Sequence, residues 1–295
     1  MKTFGHWLIC VAMLLSACGQ KVFEADESIT CDQCDNWNEP QDPFRIHGNT
    51  WYVGTAGLSS ILIETDDGLI LIDGGLSQSA ALIDANIRNL GRDTRDVKAI
   101  LVSHAHYDHV GGVAALQRFS SATVFTSLPG LEPLTTGRLT EDDPQYIADS
   151  DQGSFPAVRD VVAVGDGEVV TVGSVDVKAV HTAGHTPGST TWTWQSCALN
   201  TCYDVVYADS MSAVSAEGFE FTSSGVADTL MTSAGKIADL DCDILLSPHP
   251  FFFGMQDKLE RRDQGNPFVN NVGCLLYADS SLEWLEQRLE AERSH

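Results

Sequence analysis

Basic residues are scarce in this chain: 17 Lys and Arg stand against 41 Asp and Glu, a formal net charge of -24 at pH 7. Binding to nucleic acid needs clustered cations against phosphate, so nucleic acid is excluded as a partner class. The overall field also cannot draw in an anionic substrate. Any such attraction must be local, from metal ions or a few donors, because salt screens charges beyond about 8–10 Å. A second Cys-x-x-Cys, an internal repeat and a linker long enough to separate domains are all missing. The apolar run Trp7 to Leu15 is too short for a comfortable transmembrane helix.

That run instead belongs to a targeting segment. Lys2 supplies the positive start, Trp7 to Leu15 the apolar stretch, and Leu15-Ser16-Ala17-Cys18 the small-residue close. Two readings stand: a lipobox, with Cys18 lipidated as the new N-terminus and the protein anchored to the envelope membrane, or an ordinary cleaved signal. Either implies an exported, periplasmic protein, with residues 1–17 removed. Eight cysteines less Cys10 and Cys18 leave six, and an even number in an exported chain reads as disulfides. Six cysteines permit fifteen connectivities. Cys197 and Cys202 flank four residues between strand-like runs, which suits a hairpin staple. Cys242 and Cys274 would tie a core strand to the C-terminal helix. Cys31 and Cys34 remain, either as a short-loop disulfide, a redox pair or half of a zinc site; no βαβ pattern follows them to favour the redox role.

Residues 18–45 are polar and aperiodic and read as an extended arm, followed by one domain over 46–295. Strands are expected at Thr50–Val53, Ser59–Thr65 and Leu69–Asp73, with Asp66-Asp67-Gly68 as a hairpin turn. Ser79 to Leu90 has apolar residues at helical spacing. A strand at Ala99–Val102, a helix ending near Arg118 and a strand at Thr123–Thr126 follow. Residues 127–157 sustain no periodicity and read as a long loop with a short helix, the kind of loop that often serves as a lid. Val161–Val164, Glu168–Val172 and Val175–Val180 read as a meander, then strands at Thr190–Trp194 and Tyr203–Ala208. A helix over Val226–Leu240, a strand over Asp243–Ser247 and a long amphipathic helix over Val269–Arg293 complete the chain. The order suggests two halves, each a sheet covered by helices, packed sheet against sheet as a four-layer αββα sandwich of the α/β (α+β) class.

The chemistry is concentrated at Val102–Gly112, where His104, His106, Asp108 and His109 fall within six positions after an apolar strand. Packing does not explain four potential ligands there. Zinc takes imidazole and carboxylate, and hydrolytic sites keep one position open for water. His104 and His106 can face one way on an extended chain, whereas Asp108 and His109 need a turn. The cluster can therefore serve two ions but supplies only two ligands to each. His185, in a Gly/Pro-rich turn after Val175–Val180, and His249, beyond Asp243–Ser247, are histidines on loops at strand ends, where sites are commonly built. His6, His47 and His295 read as ordinary surface or core histidines; His181 does too, with support of a ligand as its second reading. The aromatic run Phe251–Phe253 either walls a pocket or packs.

These residues, with Gly184-His185-Thr-Pro-Gly-Ser and Ser247-Pro-His249, resemble the metallo-β-lactamase fold superfamily. Trp37-Asn-x-Pro-x-x-Pro-Phe, Ile72-Asp73-Gly-Gly and Tyr207-Ala-Asp-Ser-Met-Ser extend the resemblance over nearly the whole mature chain and narrow it to the metallo-β-lactamases of subclass B3. The resemblance implies two Zn2+ per chain, one bound by His104, His106 and His185, the other by Asp108, His109 and His249. It implies that Ser210 and Ser212 hydrogen-bond the substrate carboxylate, and that Asp108, as ligand and acceptor, orients a hydroxide that attacks the lactam. The implied activity is hydrolysis of the β-lactam amide bond of penicillins, cephalosporins and carbapenems, conferring antibiotic resistance, on a small-molecule substrate with no protein partner. Here Ala213-Val-Ser-Ala-Glu-Gly-Phe219 replaces a segment that in the subclass often carries a tyrosine near the lactam carbonyl. The rival reading is a glyoxalase-type thioesterase or a lactonase of the same superfamily. Those usually bridge their metals with an aspartate, and Asp209 would be that residue.

Overall fold

The computed structural model describes residues 22–294. The targeting segment, Cys18, His6 and His295 lie outside them. Where neighbouring residues of a strand are both apolar, each face must be covered, and the central strands show this throughout. Ile61, Ile63, Ile70, Ile72 and Leu101 face one core, while Leu62, Leu71 and Ile100 face another. The alternation is the period-2 geometry of a strand.

The elements run α1 (Cys34–Trp37), β1 (Phe44–His47), β2 (Thr50–Tyr52), β3 (Ile61–Thr65), β4 (Gly68–Ile72), α2 (Ser79–Asn89), β5 (Val97–Leu101), α3 (Tyr107–Val110), α4 (Val113–Ser120), β6 (Thr123–Ser127), α5 (Leu131–Thr136) and β7 (Val161–Val164). Then come β8 (Val169–Val172), β9 (Val175–His181), β10 (Thr190–Ala198), β11 (Thr201–Tyr207), α6 (Phe221–Ser224), α7 (Val226–Ala238), β12 (Ile244–Leu246), α8 (Met255–Glu260) and α9 (Gly273–Arg293). Strands β1 to β7 form one sheet in sequential order; the second has the order β12-β11-β10-β9-β8. The outer face of the first packs on α2 and α4 through Ile83, Ile87, Val113 and Leu116. Its inner face meets the second sheet at Trp192, Trp194 and Tyr207, and the far side of that sheet carries Leu230 and Ile237 of α7 and Tyr277 and Leu285 of α9. The four layers are those the sequence led us to expect.

Three local expectations are corrected. The polar arm is not featureless, since it holds α1 and ends in β1, which pairs antiparallel with β2. The run from Val161 is not a three-stranded meander: β7 pairs in parallel with β6, and only β8 and β9 pair with each other. The Gly165-Asp166-Gly167 turn is a passage between sheets, because the open edge of β6 offers β7 a ladder that a local hairpin would not fill. Helix α9 begins at Gly273 rather than Val269, since Val269 bridges to Ile244 and the Asn270 N–H bonds to Asp243 O, so that backbone extends the edge of β12.

Cys197–Cys202 and Cys242–Cys274 pair as their positions suggested, and Cys31–Cys34, which the sequence left open, is a third disulfide. Cys197 and Cys202 stand directly opposite in the β10–β11 ladder, and Cys242–Cys274 ties the start of β12 to α9.

Candidate metal centre

The ligands gather at one rim because β5 and β12 both end there. After β5 the chain stays extended through His106 (φ -98°, ψ 149°), then turns once as α3, which presents Asp108 and His109 together. The turn needs glycine behind it: a Cβ on Gly112 would lie 2.3 Å from Gly74 O. Asp73, at the end of β4, anchors the ligand strand. Its Oδ1 accepts the Ser103 N–H at 2.8 Å, and its Oδ2 accepts the hydroxyls of Ser103 and Tyr207 at 2.6 and 2.8 Å. Burial nevertheless raises its carboxyl to about 6, the nearby His109 and these hydrogen bonds only partly offsetting it. Trp192 supports the same strand from the other sheet, its Nε1–H bonding to Val102 O at 3.0 Å. His185 arrives on the loop after β9, where Gly184 has φ +141° and a Cβ would meet the Leu230 side chain at 2.6 Å. His249 follows β12, and the Ser59 N–H holds its neighbour Pro248 at the carbonyl (2.7 Å).

The result is two triads, His104–His106–His185 and Asp108–His109–His249, the ligand atoms within each lying within 4.8 Å of one another. The triads adjoin, with the His104 and His109 rings 4.4 Å apart. All six sequence candidates are thus brought together, in the grouping expected. Four of the five imidazoles have a nitrogen held from outside the triads, whereas His109 turns its Nε2 to Asp108 Oδ2 at 3.2 Å. His104 Nδ1 lies 2.7 Å from Asp209 Oδ1, His106 Nε2 lies 3.2 Å from Asp143 Oδ2, His185 Nδ1 lies 2.9 Å from Ser212 O, and His249 Nδ1 lies 3.3 Å from Gly57 O. Such partners set the tautomer and leave the other nitrogen for a metal. His104 Nε2 is buried without a hydrogen-bond partner, a rare state for a polar atom, and one that a metal would satisfy.

Ligation needs neutral imidazoles and ionised carboxylates, and His104, His185 and Asp108 meet that need while His109 runs against it until a metal displaces its proton. Burial, reinforced by the neighbouring histidines, holds His104 and His185 well below the usual range. Burial would raise Asp108, but His109 and His249 outweigh it and keep the carboxylate ionised. For His109 burial favours the neutral form, and Asp108 outweighs that too, raising it. Six N and O donors in two groups of three, each short of a closed tetrahedral set, fit a dinuclear transition-metal centre with open positions.

Above the triads lies a cavity of about 430 Å³. Trp37, Phe251, Phe252 and Trp284 form its aromatic walls, and Gln145, Ser210 and Ser212 add polar groups; among the described residues no Lys or Arg lines it. The aromatic run divides its labour, Phe251 and Phe252 lining the cavity while Phe253 is buried in the core. Ser212 also reaches His185 Nδ1 through its Oγ at 3.2 Å. His181 bonds to Val164 O at 3.2 Å and supports no ligand; His47 approaches Thr201 O. The sequence reading missed Asp143 and Gln145. Their one signal was the acidic triplet Glu141-Asp142-Asp143 inside the long aperiodic loop.

Residues 54–249 match the family model described as the metallo-beta-lactamase superfamily. The chain belongs to that superfamily and is a hydrolase by fold and site. Within it, solved metallo-beta-lactamase structures superpose over nearly their whole length. The Rm3 metallo-beta-lactamase is 43% identical with a TM-score of 0.86, over 90% of this chain and 100% of that one. MEM-A1, a subclass B3 enzyme isolated from a soil metagenome library, is 39% identical with a TM-score of 0.84, over 88% of this chain and 99% of that one. Among curated relatives, an N-acyl homoserine lactonase of Bacillus sp is 25% identical over 150 residues, 43% of this chain. The chain spans about half the length of the first curated relatives it matches.

Proposed function

We propose that this protein hydrolyses the β-lactam amide bond of penicillins, cephalosporins and carbapenems with two zinc ions, and so confers antibiotic resistance. The observation that carries the reading is the pair of adjoining triads beneath a cavity whose wall holds Ser210 and Ser212. Zinc, when bound, would polarise the lactam carbonyl and bring a water's pKa from 15.7 to about 7, making a nucleophile available at neutral pH. His104, His106 and His185 would hold one ion, and Asp108, His109 and His249 the other. The Asp108 carboxylate would act as ligand and hydrogen-bond acceptor and so orient the attacking water. The hydroxyls of Ser210 and Ser212 would donate to the substrate carboxylate, the task that a cation would otherwise perform in a cavity without Lys or Arg. Trp37, Phe251, Phe252 and Trp284 would cover the apolar parts of the substrate and exclude bulk water.

The lactonase or thioesterase reading is less well supported, because Asp209 grips His104 Nδ1 and is not part of either ligand triad. Export to the periplasm, with or without a lipid on Cys18, is part of the proposal and rests on the targeting segment alone. In the test, purified protein is assayed with a penicillin, a cephalosporin and a carbapenem, then treated with a chelator and resupplied with zinc. The expected outcome is β-lactam turnover that chelation abolishes and zinc restores. Cleavage of lactones or thioesters with no β-lactam turned over would transfer the assignment to the rival.

A further inference from the structure

We infer that Asp143 is a positioning residue that clamps His106 and thereby couples the loop between Gly137 and Phe155 to the first metal triad. The inference rests on the metal reading above. Both carboxylate oxygens of Asp143 approach His106 Nε2, at 3.3 and 3.2 Å, and the two side chains are almost fully buried, at 6% and 4% exposure. Among the triad histidines, His104 is held by a core aspartate and His185 by a backbone carbonyl. Only His106 depends on a carboxylate carried by a long surface loop.

The loop is built to present that carboxylate. Its base is closed by the Phe155 N–H to Gly137 O (3.0 Å), and a turn around the aspartate is set by Asp143 N–H to Thr140 O and Tyr146 N–H to Asp143 O, both 2.9 Å. Asp143 Oδ1 also accepts the Gln145 N–H at 2.8 Å, which fixes the carboxylate plane. Gln145 Nε2 lies 3.4 Å from His106 Nδ1, a contact at the limit of hydrogen-bond distance that a metal on Nδ1 would replace. A second attachment, the Ala216 N–H to Pro144 O at 2.9 Å, joins this turn to the segment after Ser212. The carboxylate on Nε2 leaves Nδ1 as the ligand nitrogen and orients the ring toward His104 and His185, whose centroids lie 4.7 and 4.9 Å away. Energy flows both ways through such a contact: what orders His106 also orders the loop.

The test compares wild type with Asp143→Ala and Asp143→Asn, using zinc alone as the probe. Zinc affinity is read by competition with a chromophoric chelator, and cleavage within 137–155 by limited proteolysis, with and without zinc. Loss of a partner behind a ligating histidine costs about 10–100-fold in metal affinity. Asp143→Ala is therefore expected to weaken one zinc equivalent by that factor, spare the other, and remove the protection that zinc gives the loop in wild type. Asp143→Asn, which keeps an acceptor for His106 Nε2–H, is expected to recover part of both. Wild-type affinity for both equivalents in Asp143→Ala would overturn the inference. So would a uniform loss at both sites with a lower melting temperature of the metal-free protein, since that marks a structural role. Failure of wild type to take up zinc would sink the metal reading itself, an outcome distinguishable from either of these.

Discussion

At the residue scale, the six ligand candidates were legible because metal chemistry restricts them to His and Asp at strand ends. The groups that orient them were not. Asp143, Asp209 and the carbonyls of Ser212 and Gly57 lie far away in sequence and become partners only by folding. Ser212 can have two functions: its carbonyl and its hydroxyl lie 2.9 and 3.2 Å from His185 Nδ1, and the same residue lines the cavity. Ser212→Ala should accordingly keep both metals, because the carbonyl remains. Its KM for a β-lactam should rise about tenfold, the loss of roughly 1.4 kcal/mol expected for one hydrogen bond to a charged group, with kcat little changed. Steady-state kinetics beside metal analysis decides it; a variant that loses metal instead would place the hydroxyl behind His185 and not on the substrate.

At the element scale, helical and strand periodicity located most segments, and the errors fell where a backbone edge was claimed from afar. Strand β7 joined β6 and left the expected meander, and residues 269–270 served β12 before α9 could begin. Neither claim leaves a mark in local composition. The end of α9 offers a test of another long-range contact. Glu292 accepts the N–H groups of Phe221 and Thr222 at the start of α6 and pairs with Arg288 at 2.8 Å. Slight burial raises its carboxyl, but the Arg288 hydrogen bond and the two backbone donors outweigh that and lower it from 4.5 to about 2. A depressed carboxylate contributes stability above its unfolded pKa and loses it as pH falls from about 4.5 through about 2. Screening by solvent keeps this to about 1 kcal/mol. Glu292→Gln should lower the melting temperature at pH 7, and the gap from wild type should narrow as pH falls below about 4.5 and close only below about 2. A gap independent of pH would show that the contact is not electrostatic.

At the scale of the whole molecule, the metal centre spans the sandwich. His104, His106, Asp108 and His109 follow β5 of the first sheet, whereas His185 and His249 follow β9 and β12 of the second. Ions held there would staple the two sheets together, and ligands that bind only the folded state stabilise it by mass action, about 2.7 kcal/mol at 100 times Kd. Zinc should therefore raise the melting temperature of the chelated protein by about 5 °C or more, increasing with free zinc. Melting that is indifferent to zinc would mean the triads do not bridge the layers energetically. The net charge of -24 belongs to this scale too. With so acidic a chain and, among the described residues, no Lys or Arg in the cavity wall, any anionic substrate would have to be held locally.

The sequence by itself pointed to the superfamily, the four-layer class and six candidate ligands, and the family resemblance implied their division into two groups of three. The superfamily motifs and the cluster at His104–His109 are residue types at fixed local spacing, which need no knowledge of distant neighbours. Tertiary structure alone decided which strand completes which sheet, that Asp209 supports His104 without joining a triad, and that the long loop reaches in to hold His106 through Asp143. The physical reason is common to all three. Open backbone edges and spare imidazole nitrogens can be satisfied by many partners, and only the packed fold places one of them within hydrogen-bond reach.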